Sequence, residues 1–115
     1  MPNLAMRQEQ RNDRVKLLHH RVVARAMKTN PGLLDEARAV VAKWKCESRH
    51  ATFVDDWERL LARPLSEVRR EITRRTPDAY RLRVSSPFPL IPTQVVSTVD
   101  MSRLRRLASR PPIAR

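Results

Sequence analysis

The residues that could hold a metal are Cys46 and His50, four apart and so able to share one helical face, together with His19 and His20. A structural zinc site asks for a second cysteine or a paired Cys/His motif, and this chain has one cysteine. The stretch Ser48-Arg49-His50-Ala51 also reads as a helix end, which would part Cys46 from His50. The expectation is therefore a buried or half-buried thiol, surface histidines, and no metal or cofactor. Asp55, Asp56 and Glu58 gather around Trp57, and such carboxylates can do acid–base work or bind magnesium. They stand in the first turns of a helix, however, where the positive end of the dipole favours acids in any case. No serine or cysteine has the context of an activated nucleophile. The only glycine, Gly32, excludes a glycine-rich phosphate loop. The chain reads as a binding protein, not an enzyme.

What remains is arginine. The 115 residues carry a net charge of +12. Residues 1–28 hold seven basic and two acidic side chains, for a net +5. Residues 29–62 hold five and six, for −1, and residues 63–115 hold twelve and four, for +8. A near-neutral centre between two basic arms suits phosphate backbones or an acidic protein partner, and it also suits solubility alone. The predicted nucleic-acid contacts are Arg14, Arg21 and Arg25 on the first arm, then Arg69, Arg70, Arg74, Arg75, Arg81 and Arg83. Charge contact of this kind weakens steeply with salt.

The elements that must position these residues are helices. One glycine is too few for the turns of a β-sandwich or barrel. Val15, Leu18, Val22 and Ala26 form an apolar stripe that predicts a helix from about Leu4 to Lys28, widened by Leu17, Val23 and Met27. Asn30-Pro31-Gly32 breaks it and starts a second helix to about Cys46, with Asn30 as cap and Leu33, Ala37, Val40 and Trp44 inward. Thr52-Phe53-Val54-Asp55 resembles a capping box and opens a third helix to about Ala62, with Phe53, Trp57 and Leu60 or Leu61 inward. Arg63-Pro64 interrupts it. A fourth helix is expected from Leu65 to Arg75, with Leu65, Val68 and Ile72 inward. Thr76-Pro77-Asp78 opens a last turn or two to Val84, with Tyr80 and Val84 on one face. Trp44 and Trp57 are expected to pack together across a helical hairpin; exposed, they would be a platform for stacking bases. The third and fourth helices lack the glycine turn of a helix-turn-helix.

Pro87, Pro89 and Pro92 fall within six residues, spaced by Phe88, Leu90 and Ile91. Proline lacks an N–H and favours an extended predecessor, so this strap cannot be continuous helix. Phe88 is expected to plug the core, while Leu90 and Ile91 begin a surface for a partner. Beyond the strap, Thr93 can cap a final amphipathic helix through Met101, Leu104, Leu107 and Ala108, among Arg103, Arg105, Arg106 and Arg110. The chain thus divides into a helical domain, residues 1–84, a strap, 85–92, and a basic C-terminal segment, 93–115. No apolar run approaches the roughly 20 residues of a membrane span, and the N-terminus lacks the apolar core of a signal peptide. A basic amphipathic helix can lie on a membrane, but this one has no aromatic anchors. With no disulfide possible, the expected location is cytoplasmic.

Several of these segments together resemble small bacterial antitoxin-like proteins of toxin–antitoxin modules. The resemblance lies in His20-Arg21, in Asn30-Pro31-Gly32-Leu33-Leu34-Asp35-Glu36-Ala37-Arg38 leading to Trp44, and in Trp57-Glu58-Arg59-Leu60-Leu61 before Pro64-Leu65. Arg81 or Arg83 ahead of Ser85-Ser86-Pro87-Phe88 completes it, over about residues 14–92. After Phe88 the chain departs from that pattern: Pro89-Leu90-Ile91-Pro92-Thr93-Gln94 replaces a small-residue turn, and no later tryptophan follows. The resemblance implies a cognate toxin as partner, nucleotidyltransferase-like or nuclease-like, and operator DNA as a second one. The partner surface would comprise Phe88, Leu90, Ile91, Arg103, Leu104, Arg106 and Leu107. Stiff proline segments lose less entropy on docking. The alternatives are a nucleic-acid-binding protein and a small basic subunit of a larger assembly. The expected fold is all-α, a small bundle of four to five short helices with strap and basic tail.

Overall fold

Helix formers separated by well-placed breakers give a chain of short helices. The computed structural model describes residues 4–47, 52–96 and 98–109, and every regular element among them is helical. The helices are α1 (Leu4–Thr29), α2 (Gly32–Cys46), α3 (Thr52–Leu61), α4 (Leu65–Glu71), α5 (Pro77–Val84) and α6 (Thr98–Ser109). A 3₁₀ turn, Phe88–Leu90, lies within the strap. The all-α expectation holds, with six α-helices among the described residues. His50 and the end of the tail, 110–115, lie outside the described residues.

Two proline breaks behave differently. At the α1–α2 junction Asn30 donates its N–H to the Ala26 carbonyl at 2.9 Å, still completing α1. Pro31 takes the cap position with no side-chain cap bond, so Asn30 is not the cap the sequence implied. At α5 the expectation holds: the Ala79 N–H donates to Thr76 Oγ at 3.2 Å, and Pro77 sits in the first turn. α4 is shorter than expected and stops at Glu71, not at Arg75. Pro77 holds Thr76 extended, at φ −112° and ψ 155°, which bars Thr76 itself from a helix. Thr73 assists by donating its hydroxyl back to the Arg69 and Arg70 carbonyls, 3.1 Å each.

The core gathers α1 to α4 and the strap: Val23, Met27, Leu33, Ala37, Val41, Trp44, Val54, Trp57, Leu61, Val68, Ile72, Phe88 and Ile91 are all buried. α6 lies along α1 and buries Leu104 and Ala108. The α1 stripe differs from the expected one. Val15, Leu18, Val22 and Ala26 are only half-buried, and the interior line is Leu17, His20, Ala24 and Met27. That line has ideal helical spacing, but a histidine interrupts its apolar reading. Likewise α3 turns Val54 inward ahead of the half-buried Phe53, and α5 buries Ala79 and Arg83 while Val84 is exposed. Both tryptophans are core residues, and each has a phenylalanine as its edge-on partner. Trp44 meets Phe53 at 5.7 Å between centroids, and Trp57 meets Phe88 at 6.1 Å.

Candidate functional site

The middle of α1, the end of α5 and the strap meet around His20. Its side chain is 1 % exposed, against the expected surface position. His20 Nδ1 lies 2.6 Å from the Lys16 carbonyl, which can only accept, so Nδ1 carries the proton. Nε2 then accepts from the Ser86 hydroxyl at 2.7 Å, and Ser86 Oγ in turn accepts the Phe88 N–H at 3.2 Å. The Phe88 ring packs edge-on against His20 at 5.8 Å, and Trp57 Nε1 donates to the Leu82 carbonyl at 3.1 Å. Residues of three separate stretches, His20, Trp57 and Ser86-Pro87-Phe88, therefore form one interlocked unit.

A serine hydroxyl on an imidazole has the outline of a nucleophile and its base. Here the environment works against that chemistry. Burial pushes the His20 pKa down to about 3, so the ring is a weak base. The serine proton is spent on His20, and its oxygen is already engaged by Phe88. The pair acts as a lock that fixes the strap on α1. His20 and Ser86 each stand in a segment that the sequence singles out, but their pairing was not legible; the signal for an inward His20 was the 3-4-3 spacing of Leu17, His20, Ala24 and Met27.

Arg83, expected at a phosphate backbone, is 2 % exposed. Its Nη1 donates to the carbonyls of Ile72 at 3.1 Å and Arg74 at 2.9 Å, groups left without partners by the early end of α4. Its guanidinium stacks on Tyr80 at 4.5 Å. Burial lowers its pKa, while Tyr80 and Asp13 oppose that shift. Arginine is attached to backbone elsewhere too: Arg69 Nε donates to the Ala24 carbonyl at 2.6 Å, and Arg38 Nε to that of Leu61 at 2.7 Å.

The remaining predicted contacts separate into two faces. Arg21, Arg25, Lys28, Arg69 and Arg70 line a groove between α1 and α4 that has no acidic side chain in its wall. No ion pair among the described residues holds Arg21, Arg25 or Arg70. On another face, Arg74 pairs with Glu71 at 3.2 Å and Arg81 with Asp78 at 3.5 Å, beside Asp56 and Arg59. That face is of mixed charge, and Arg75 is exposed near it in the α4–α5 turn. Arg14 is exposed on α1, below the groove. Of the predicted partner surface, Phe88, Ile91 and Leu104 are buried in the chain's own core. Leu90 is 61 % exposed and Leu107 38 %, with Arg103 and Arg106 exposed as well.

The remaining candidates are settled locally. Cys46 is exposed, not half-buried, and no group of metal ligands exists among the described residues. Asp56 pairs with Arg59 and Glu58 with Lys45, 2.7 Å each, so two of the three carboxylates are engaged. No helix of the described residues is long and apolar enough to cross a membrane. In comparison with known proteins, no family model, no curated protein and no solved structure matches this chain.

Proposed function

We propose that this chain is an antitoxin-like binding module that docks on a partner toxin enzyme, nucleotidyltransferase-like or nuclease-like, and neutralises it. The observation that carries this reading is the pair Leu90 and Leu107, two of the few large hydrophobic side chains exposed among the described residues. Each has exposed arginine or proline beside it: Arg103 and Arg106 on α6, Pro89 and Pro92 on the strap. Apolar anchors among cations suit the rim of an enzyme site that handles phosphates. The resemblance supports the reading as well, and three of the stretches that carry it, at His20, Trp57 and Ser86-Pro87-Phe88, meet in the interlocked unit. The test is co-expression with the product of the neighbouring gene. The tagged chain is expected to capture it and suppress its activity, and Leu90→Asp with Leu107→Asp is expected to abolish capture. Failure of the unmodified chain to form that complex overturns the proposal.

A second reading rests on the acid-free groove between α1 and α4. Five cations around one concavity favour a run of phosphates, so nucleic acid is the partner proposed for that face. The two readings use different surfaces, and one protein can serve both.

A further inference from the structure

Beside the His20 lock lies a cavity of about 420 Å³, bounded by α1, the end of α5, the strap and α6. Its polar wall includes Lys16, His19, Arg83, Gln94 and Arg105, and no carboxylate lines it. The rest of the wall is mainly apolar, with Phe88, Ile91 and Met101 among it. Ligand pockets typically run from roughly 300 to 1,000 Å³ and combine an apolar wall with a few placed polar groups. This one combines that wall with three cations.

The second observation concerns Arg83 itself. Its Nη1 is satisfied by two carbonyls, but Nε and Nη2 are buried and have no hydrogen-bond partner. Those two nitrogens share one edge of the guanidinium plane, the edge that grips two oxygens of a carboxylate or phosphate side by side. A buried donor left without an acceptor is costly, and a buried cation more so. The fold accepts that cost while anchoring the opposite edge of the same group on backbone and stacking its face on Tyr80. Such an arrangement holds the unpartnered edge in a fixed orientation, buried beside the cavity.

We propose that this cavity binds a small oxyanion, a carboxylate or a phosphate on an apolar or aromatic body, and that a side-chain adjustment of Arg83, which lies in the cavity wall, brings its unpartnered Nε/Nη2 edge onto the anion. Lys16 and Arg105 add charge at the mouth, and Phe88, Ile91 and Met101 receive the body. Asp13 of α1 is the internal competitor, since its charge already acts on Arg83. The inference is independent of the toxin-partner reading, and a failed capture experiment leaves it standing.

The full chain is titrated with benzoate, phenyl phosphate and, as a control for simple charge, inorganic phosphate, all at chloride-matched ionic strength. Binding is read by melting temperature and by ¹H–¹⁵N spectra that include the arginine Nε signals. Saturable binding of benzoate or phenyl phosphate is expected, with the Arg83 Nε signal among those shifted. Whichever aryl anion binds more tightly identifies the carboxylate or phosphoryl source. Lys16→Gln and Arg105→Gln keep the core intact and are expected to weaken binding by about tenfold each, the loss of one charge-assisted contact. Absence of saturable binding overturns the proposal. So does binding that is unchanged in both variants, or binding that appears only in Asp13→Asn, which would show the edge to be an internal ion-pair site.

Discussion

In the groove between α1 and α4, Arg21, Arg25 and Arg70 keep their guanidinium groups in water and beside one another. At the end of α5, Arg83 is enclosed by backbone carbonyls, a tyrosine ring and the edge of a cavity. The two regions draw on the same residue type with opposite results. Open arginines contribute little to folding and leave their charge available to a partner, because solvent screens them and holding the long side chain still costs entropy. The enclosed arginine serves the fold first: it satisfies carbonyls just past the end of α4. Arginine manages this because its donors point in fixed, divergent directions, so one group can staple a helix end with one edge while the other stays unpaired. Charge counting along the chain treats both regions alike, and burial separates them.

The largest expected effect lies next to the enclosed region. Phe88 fills the space between His20 and Trp57, so Phe88→Ala should cost about 3–5 kcal/mol of unfolding free energy in urea titration. Leu90→Ala, two residues on and exposed, should stay within about 0.5 kcal/mol. Equal losses at both positions would mean that the strap is not seated as described.

Arginine against arginine gives a smaller and more direct contrast. Arg83→Met keeps the apolar stem but removes the donors to Ile72 and Arg74, and should destabilise by about 1–3 kcal/mol. Arg70→Gln should leave stability within about 0.5 kcal/mol. If the groove binds nucleic acid, Arg70→Gln should reduce the slope of log affinity against log salt by about 0.9 for one lost duplex phosphate contact. A large stability loss in Arg70→Gln, or none in Arg83→Met, would dissolve the distinction between the regions.

The mildest test is pH. His20 titrates near its ordinary 6.5 when unfolded and at about 3 when folded. Between those values the unfolded chain binds more protons, so stability is full above about pH 6.5 and falls as the pH drops towards 3. The half-buried His19 is shifted in the same direction by burial and adds to the trend. The loss attributable to His20 is about 1.4 kcal/mol per pH unit well inside that window. Urea midpoints at pH 7, 6 and 5 should show this fall, and His20→Gln should flatten most of it. An unflattened profile would place the titrating group elsewhere.

How much of this was legible can be judged at particular residues. The helix starts near Pro31, Thr52, Leu65 and Pro77 were readable, because capping and proline geometry act within a few residues. The burial of Phe88 was readable from an apolar ring between prolines. On α1, Leu17, Val23 and Met27 were named and are buried, but the line was centred one face away because His20 interrupts its apolar reading, and the early end of α4 had no local signal. The groove residues were named along the chain, but their separation from Arg74 and Arg81 was not, since the acids that neutralise that other face come from α3, α4 and α5.

By itself, then, the sequence determined the all-α class, most helix boundaries, the strap and the two basic arms, all of which follow from local backbone preference, periodicity and composition. The tertiary structure alone decided which polar groups go inside. A buried histidine or arginine is tolerable only where distant groups complete its hydrogen bonds, and Ser86 reaches His20 from 66 residues away. No local rule contains that partner, and only the folded chain brings it within 2.7 Å.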